Sequence, residues 1–430
     1  MPANAAPARQ DPRCRPLRCL PGRAPLSRSR TLVLAICCDH APTLDRHASL
    51  MNHKFRYPCT GHVDHQGFGR FLERELGAPR ANLGALFSEL SSAFGARNLT
   101  LVNSGSSANL AAALALAEAT GRGMHAITAG FTFPTTLSSL LFAGYSVTVV
   151  DIEPSGFGID PDALLRAIQP NTRVVCLTHL LGFPARLMDV MAIAQEHGLL
   201  VLQDACETMD LEIEGRPVHS FGTLTTWSFY HPHHLSTYGG GAIIAPDLEW
   251  HDRLESIVHW GRECMCHYAP ERCKAPEGMH HHFSYARPGF NLEMSELNAC
   301  FGRFQLRGWK EQESLRRRNY AILYEAVSGI PGVRVRSAPR GLGSPFAFPI
   351  TVEDRPLDLV ARRLRDRGVE VRNFVGGLVT QHAAFSAVPH DGLSRAKALF
   401  ETSFIVGIHQ TLVEPDVRDV AMILREELTT

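Results

Sequence analysis

The chain has 430 residues, of which 45% are hydrophobic and 20% are charged, so it can bury a substantial core and is not a disordered protein. Lysine plus arginine and aspartate plus glutamate number 43 each, and this balance excludes the basic surface of a nucleic-acid or anionic-membrane binder. The longest apolar run near the start, residues 31–38, is far shorter than the roughly 20 residues of a membrane-spanning helix. We therefore expect neither a nucleic-acid nor a membrane partner.

The beginning of the chain differs in composition from the rest. Residues 1–50 contain eight arginines and several prolines without helical or strand periodicity, which indicates a disordered extension or a misassigned start. No secretory signal precedes the 11 cysteines, whose odd number argues against a disulfide framework. A reducing cytoplasm is the expected location.

Short apolar runs alternate with amphipathic stretches from about residue 98 onward. The runs LTLVN, HAITA, SVTVV, TRVVCLT and LLVLQ predict buried strands, and the segments between them predict helices. This alternation is typical of an α/β fold with a mostly parallel sheet that binds ligands at the carboxyl ends of its strands. We assign residues 51–305 to this large, ligand-binding domain, with a cysteine-containing insert.

A second unit follows a helix-rich connection. In residues 306–430, the runs FAFPITV and GVEVRNF predict strands, and 357–367 and 415–428 predict helices. We assign this part to a smaller C-terminal α+β domain.

Three motifs of the large domain lie where strands are predicted to end. NSGSSAN (103–109) places Ser106 and Ser107 at a helix start that can bind a phosphate, although a plain helix cap has the same pattern. Phe133, in AGFTFPTT, can stack on a ring or belong to the core. Asp204 follows LLVLQ and can face a pyridinium nitrogen or cap a helix.

Together with SFYHPHHLSTYGGG (228–241), these motifs resemble the DegT-type PLP-dependent sugar aminotransferases over residues 85–430. The resemblance implies the aspartate-aminotransferase (PLP transferase type I) fold and an obligate homodimer. It also implies a role for each matching residue. The implied cofactor-binding residues are Ser106, Ser107 and Ser228 on the phosphate, Phe133 on the ring face, Asp204 on the ring nitrogen, Glu207 near the ring hydroxyl, and Asn291 on the neighbouring subunit's phosphate.

The lysine that holds PLP in this family is replaced by His233, and none of the four lysines lies in the segment. Imidazole cannot form an imine, but it can move a proton because histidine titrates near neutrality. The change narrows the resemblance to the sugar 3-dehydrases, such as the CDP-4-keto-6-deoxy-D-glucose 3-dehydrase branch. It implies His233 as the catalytic base acting on non-covalently bound PMP.

Four cysteines follow the pattern C-x57-C-x-C-x6-C, namely Cys206, Cys264, Cys266 and Cys273. Such thiolates can bind a [2Fe–2S] cluster or a zinc ion, and buried structural cysteines are the alternative. The resemblance implies a [2Fe–2S] cluster. The last interval is one residue shorter than in the cluster-bearing dehydrase branch, so His280, His281 and His282 are alternatives to Cys273 as the final ligand.

The resemblance implies PMP-dependent C3 deoxygenation of a nucleotide-linked 4-keto-6-deoxyhexose, with electrons relayed through the cluster from a separate reductase. Arg372 is a candidate for the nucleotide phosphates, with a surface ion pair as its alternative. Leu378 and Gln381 replace an expected Asn and Arg, which indicates a different substrate. The alternative functions are a cluster-free PLP-dependent 3-dehydratase and a catalytically silent ligand-binding protein.

Overall fold

The computed structural model describes residues 55–61, 63–75, 81–264, 283–338 and 343–430. The predicted extension at 1–50 and the ligand candidates Cys266, Cys273, His280, His281 and His282 lie outside these residues. None of the helices in the described ranges is long and apolar enough to span a membrane.

Helices and strands alternate through most of the described chain. The helices are α1 His65–Glu75, α2 Ala81–Phe94, α3 Gly105–Thr120, α4 Pro134–Phe142, α5 Pro161–Ala167, α6 Leu187–His197, α7 Leu248–Val258, α8 Glu296–Leu306, α9 Trp309–Val327, α10 Leu357–Asp366, α11 Ser394–Thr402 and α12 Glu414–Thr429. The strands are β1 Asn98–Val102, β2 His125–Ala129, β3 Ser146–Val150, β4 Thr172–Thr178, β5 Leu200–Asp204, β6 Glu212–Ile213, β7 Arg216–Pro217, β8 Leu224–Ser228, β9 Gly241–Ala245, β10 Val333–Val335, β11 Phe348–Val352, β12 Val371–Asn373 and β13 Ser403–Val406.

Seven strands form the large sheet in the order β1-β9-β8-β5-β4-β2-β3. The pairs among β3, β2, β4, β5 and β8 are parallel, whereas β9 runs antiparallel to both β1 and β8. Strands β2 and β8 are buried along their whole length, as expected for a sheet covered on both faces. The predicted α/β class and mostly parallel sheet are therefore confirmed.

The carboxyl ends of these strands position the candidate site. Strand β1 leads into α3, where the Ser104 side chain caps the helix by accepting a hydrogen bond from the backbone N–H of Ser107. Strand β5 ends at Asp204 and β8 ends at Ser228. Because β5 and β8 are parallel neighbours, these two residues lie at the same edge of the sheet.

A second sheet has the order β10-β11-β13-β12 and is antiparallel throughout. The predicted strand at 368–374 is shorter in the structure, because Gly368 adopts a φ of +85° and Phe374 begins a 3₁₀ turn. The helices predicted at 357–367 and 415–428 agree with α10 and α12 to within one residue at each end. The domain limits at residues 50 and 305 stay predictions.

Candidate functional site

The start of α3 forms a polar cradle at the end of β1. The Ser106 hydroxyl lies 2.8 Å from that of Thr135, and the Ser107 hydroxyl donates to Asn103 Oδ1 at 2.6 Å. Unpaired backbone N–H groups at a helix start carry partial positive charge, and together with serine hydroxyls they bind a phosphate.

Gly105 allows Ser228 to join this cradle. A Cβ atom at Gly105 would lie 2.6 Å from Ser228 Cβ and 3.3 Å from Cys206 Sγ, so only glycine fits without displacing the backbone. The structure therefore brings Ser106, Ser107 and Ser228, which were predicted to bind one phosphate, to the same place.

Asp204 is a buried carboxylate, with 3% of its surface exposed. Its Oδ2 accepts hydrogen bonds from Asn109 Nδ2 at 2.9 Å and Thr136 Oγ1 at 2.6 Å, and its Oδ1 accepts one from the backbone N–H of Cys206 at 3.2 Å. These partners are all neutral. Because a buried charge is costly unless it is paired with an opposite charge, this carboxylate suits a cationic ligand atom such as a protonated ring nitrogen.

Phe133 precedes α4, and 52% of its surface is exposed. The alternative that it belongs to the core is therefore wrong for the isolated chain. Its ring can contact a planar ligand between the ends of β2 and β5.

Glu207 lies on the loop that follows Asp204. Its Oε2 accepts a hydrogen bond from the backbone N–H of Leu181 at 2.8 Å. Burial raises the pKa of Glu207 to about 7, with a further contribution from the Asp204 charge. The group can therefore donate or accept a proton near neutrality.

His233 lies on the turn after β8, where its Nδ1 is 2.7 Å from the backbone carbonyl of Cys206. A carbonyl oxygen only accepts, so Nδ1 carries the hydrogen and the neutral ring leaves a lone pair on Nε2. Burial lowers the pKa of His233 to about 4, although the Cys206 carbonyl and the Asp204 charge oppose this shift. The ring is therefore neutral, and Nε2 can accept a proton at physiological pH.

Neither lysine in the described residues is placed to replace this histidine. Lys310 and Lys397 have side chains that are 86% and 58% exposed, and they pair with Glu313 and Glu401. Lys54 and Lys274 lie outside the described residues. The described site therefore offers an imidazole base and no amine.

Only two of the four predicted cluster ligands are described. Cys206 lies beside the cradle, and burial together with Asp204 raises the pKa of its thiol. Cys264 is buried and is the last described residue before the gap at 265–282. Within the described ranges, no three His, Cys, Asp or Glu side chains lie close enough together to bind a metal ion. Cys176 and Cys300, which are not among the four candidates, are buried.

Asn291 is exposed and forms an isolated bridge with His259. The next residue, Leu292, accepts a hydrogen bond through its carbonyl from the backbone N–H of Asn103 at 2.7 Å, which ties this segment to the cradle. An exposed amide at this place can reach a neighbouring molecule.

The candidates in the C-terminal part have different environments. Arg372 is exposed and its Nε donates to Glu370 Oε1 at 2.8 Å, as expected for the surface ion pair that was its alternative role. Leu378 is buried, and its Cδ1 would lie 3.1 Å from a Cβ placed on Gly130. Gln381 is the last residue of the short 3₁₀ turn that follows Leu378.

The sequence analysis missed several residues that complete the site. Asn109 and Thr136 fix the Asp204 carboxylate, and the Cys206 carbonyl fixes the His233 ring. Asn109 and Thr136 belong to the motifs NSGSSAN and AGFTFPTT, so their places after β1 and β2 could have identified them. A backbone carbonyl has no counterpart in the sequence.

Comparisons with known proteins agree with this geometry. The model of the DegT/DnrJ/EryC1/StrS aminotransferase family matches residues 82–425. The chain is 34% identical over 350 residues to a dTDP-4-dehydro-2,6-dideoxy-D-glucose 3-dehydratase of Saccharopolyspora spinosa, covering 76% of each chain. It is 27% identical over 346 residues to a GDP-4-keto-6-deoxy-D-mannose 3-dehydratase of Yersinia pseudotuberculosis, covering 77% of this chain and 88% of the relative.

Among solved structures, the chain resembles the GDP-4-keto-6-deoxy-D-mannose-3-dehydratase of E. coli with bound hydrated PLP. The TM-score is 0.77 at 23% identity, with 86% of this chain and 99% of the other covered. At this level of identity the similarity shows the fold, and the predicted PLP transferase fold is thereby confirmed.

Proposed function

Because the chain belongs to the DegT/DnrJ/EryC1/StrS aminotransferase family, we propose that it removes the C3 hydroxyl of a nucleotide-linked 4-keto-6-deoxyhexose with the help of PLP or PMP. The names of the 3-dehydratases from S. spinosa and Y. pseudotuberculosis support the substrate class. The observation that carries the proposal is His233, a neutral imidazole where an aminotransferase needs an amine.

The residues of the site fit such a cofactor. Ser106, Ser107, Ser228 and the start of α3 would hold its phosphate, and Phe133 would contact its ring. Asp204 would keep the ring nitrogen protonated, a role that suits a buried carboxylate with only neutral partners. When bound, the cofactor supplies an amine for the keto carbon and a ring that withdraws electrons.

His233 has the role of general base in this proposal. Its Nδ1–H is held by the Cys206 carbonyl, so Nε2 is the atom that takes the proton from C4′ of the cofactor. Glu207, whose pKa is raised to about 7, can share a proton with the ring hydroxyl. None of the four lysines lies in residues 228–241, so in this proposal the cofactor is held by non-covalent contacts alone.

We propose that the enzyme is a cytoplasmic homodimer. Several large side chains in residues 260–264 and 283–297 are exposed in the isolated chain, and exposed apolar side chains that lie together in one patch are typical of an interface. These residues are Trp260, Phe283, Tyr285, Phe290 and Leu297. Asn291 lies beside Phe290, where it would reach the cofactor phosphate of the neighbouring subunit.

Loss of the C3 hydroxyl as water, followed by release of a 3-deoxy-4-keto sugar, requires two electrons and two protons for each turnover. We propose that a separate reductase supplies the electrons one at a time through a [2Fe–2S] cluster on Cys206, Cys264, Cys266 and Cys273. The C-x57-C-x-C-x6-C spacing supports this proposal. The second candidate is a cluster-free enzyme that obtains the electrons from glutamate, which leaves as 2-oxoglutarate and ammonia.

The test is anaerobic purification followed by turnover of a nucleotide-linked 4-keto-6-deoxyhexose with PMP. We expect about two irons and two sulfides per chain, as for a [2Fe–2S] cluster, and product only when a reductant is present. His233→Asn should abolish product, and Cys264→Ser should remove iron while PMP still binds.

Zinc in place of iron, with one 2-oxoglutarate formed for each turnover with glutamate, would favour the cluster-free candidate. Tight PMP binding without any turnover would indicate a silent ligand-binding protein.

A further inference from the structure

The residue after the proposed base, His234, has no part in the function described so far. Its ring is buried, and its Nε2 lies 2.8 Å from the Ser344 carbonyl. Because the carbonyl only accepts, Nε2 carries the hydrogen and Nδ1 is left with a lone pair. Among the described residues, Nδ1 of His234 has no hydrogen-bond partner. A buried nitrogen without a partner lowers the stability of the protein relative to an apolar side chain. The presence of a histidine at this position therefore needs an explanation other than stability.

The segment that receives this bond, residues 343–346, is fixed at three further points. The Ser344 backbone N–H donates to both carboxylate oxygens of Asp210 at 3.0 Å. The Phe346 N–H donates to the Leu181 carbonyl at 3.0 Å, and Arg316 Nη1 donates to the Phe346 carbonyl at 3.1 Å. The segment is therefore a rigid support against which other groups can be held.

The same segment also contacts His233. The Phe346 ring centroid lies 5.2 Å from that of His233 and 5.8 Å from that of His234. Asp210 is four residues after Cys206, whose carbonyl binds His233 Nδ1. Three contacts thus form a closed loop with the chain that connects them, and both histidines belong to this loop. They are the bonds from His233 to Cys206, from Ser344 to Asp210 and from His234 to Ser344.

We propose that His234 is a positioning residue for the base: through its bond to Ser344 it anchors the turn after β8 and fixes the direction in which His233 Nε2 points. This inference rests on the function proposed above, in which His233 moves the C4′ proton. Misplacing a reacting group by about 1 Å can slow a reaction about 100-fold. An anchor of this kind therefore acts on the rate of proton transfer and leaves the binding of the cofactor unchanged.

The test measures exchange of the C4′ hydrogen of bound PMP with heavy water, read by mass spectrometry of the released cofactor. His234→Leu, which removes the donor but fills the space, should slow exchange about 10- to 100-fold with unchanged PMP affinity. His234→Gln can donate its amide N–H to Ser344 and should restore most of the rate. In turnover, His234→Leu should lower kcat and leave KM unchanged.

His125→Leu is the matched control. His125 is equally buried, and its ring nitrogens lie 2.8 and 2.9 Å from the hydroxyls of Thr172 and Thr148. It stands at the start of β2, at the opposite end of the strand from the site. Its substitution should lower the stability and leave the exchange rate unchanged.

Crystal structures of the cofactor-free proteins give a second measurement that is independent of activity. The 2.7 Å contact between His233 Nδ1 and the Cys206 carbonyl should be lost in His234→Leu and kept in His234→Gln. A folded His234→Leu protein that keeps this contact and exchanges at the wild-type rate would overturn the inference. If His234→Leu does not fold, His234→Phe, which also lacks the donor but keeps a ring beside Phe346, takes its place with the same expected slowing. Wild-type protein without exchange would instead contradict the proposed role of His233.

Discussion

At the scale of single residues, the chemistry of the site depends on one ring nitrogen. The Cys206 carbonyl fixes the hydrogen on His233 Nδ1, and burial keeps the ring neutral, so Nε2 can move protons but cannot form an imine. A lysine at this position would have both abilities. In the proposed function, the identity of residue 233 therefore decides whether the cofactor can be bound covalently.

His233→Lys tests this reasoning directly. An amine buried at this position, beside the cofactor aldehyde, should have a lowered pKa and form an imine with PLP. Borohydride should then add the mass of reduced PLP at residue 233, whereas the wild type should show no adduct. The measurement is peptide mapping by mass spectrometry. A wild-type adduct on Lys274 or Lys310 would contradict the assignment, since another lysine would then reach the cofactor.

At the scale of elements, the polar cradle depends on how closely the start of α3 approaches the end of β8. A Cβ on Gly105 would lie 2.6 Å from Ser228 Cβ, so Gly105→Ala must push the two elements apart. We expect PLP affinity to fall about tenfold or more and the free energy of unfolding to fall by about 1–3 kcal/mol. Fluorescence titration and urea denaturation measure the two effects.

Gly84 provides the control for this substitution. It lies within α2, and a Cβ there would meet no atom within 4 Å. Gly84→Ala should therefore leave PLP affinity unchanged and stabilise the protein by up to about 1 kcal/mol, because alanine favours a helix more than glycine does. Equal losses of affinity in both variants would show that the Gly105 effect is not local.

The sequence predicted these elements more fully than it predicted their contacts. Strands β1 to β5 follow from their apolar runs, and Asp204 is found at a strand end as expected. The antiparallel place of β9 between β1 and β8 was not predicted, because strand order depends on pairing across the sheet and not on local pattern. The support of His234 by residues 343–346 was also missed, since it joins a side chain to a backbone carbonyl far away in the chain.

At the scale of the whole molecule, buried histidines make stability depend on pH. Burial lowers the pKa of His219 to about 4, and its ring packs edge-on against Trp227 at 5.6 Å. In the unfolded chain His219 binds a proton near pH 6.5, whereas in the folded chain it does not. The contribution of His219 to the free energy of unfolding is therefore complete above pH 6.5 and is lost as the pH falls towards 4. His219→Phe keeps the ring packing but cannot titrate.

We expect the wild type to lose about 2 kcal/mol more than His219→Phe between pH 7 and pH 4.5, a value reduced from the full shift because the ring is partly exposed. Urea denaturation at both pH values measures the difference. The same loss in both proteins would show that other groups carry the acid sensitivity.

The proposed sharing of a site between two subunits has its own test. His233→Asn and Asn291→Ala should each be inactive, but mixed dimers should recover part of the activity, because one of their two sites contains only intact residues. Activity of separately tagged, purified mixed dimers is the measurement. A fully inactive mixed dimer that still binds PMP would place Asn291 and His233 in the same subunit's site.

The position of β1 also has a consequence for how the protein is made. β1 lies at the edge of the large sheet and pairs there with β9, with Asn98 opposite Ala245. A ribosome that has released only the first half of the chain has therefore produced the strand that leads into the cradle, but not the strand that holds it. Contacts between distant parts of a chain form late in folding. The nascent chain should thus gain the ability to capture its vitamin B6 cofactor only after residue 245 has emerged, which makes cofactor capture a marker of a finished sheet.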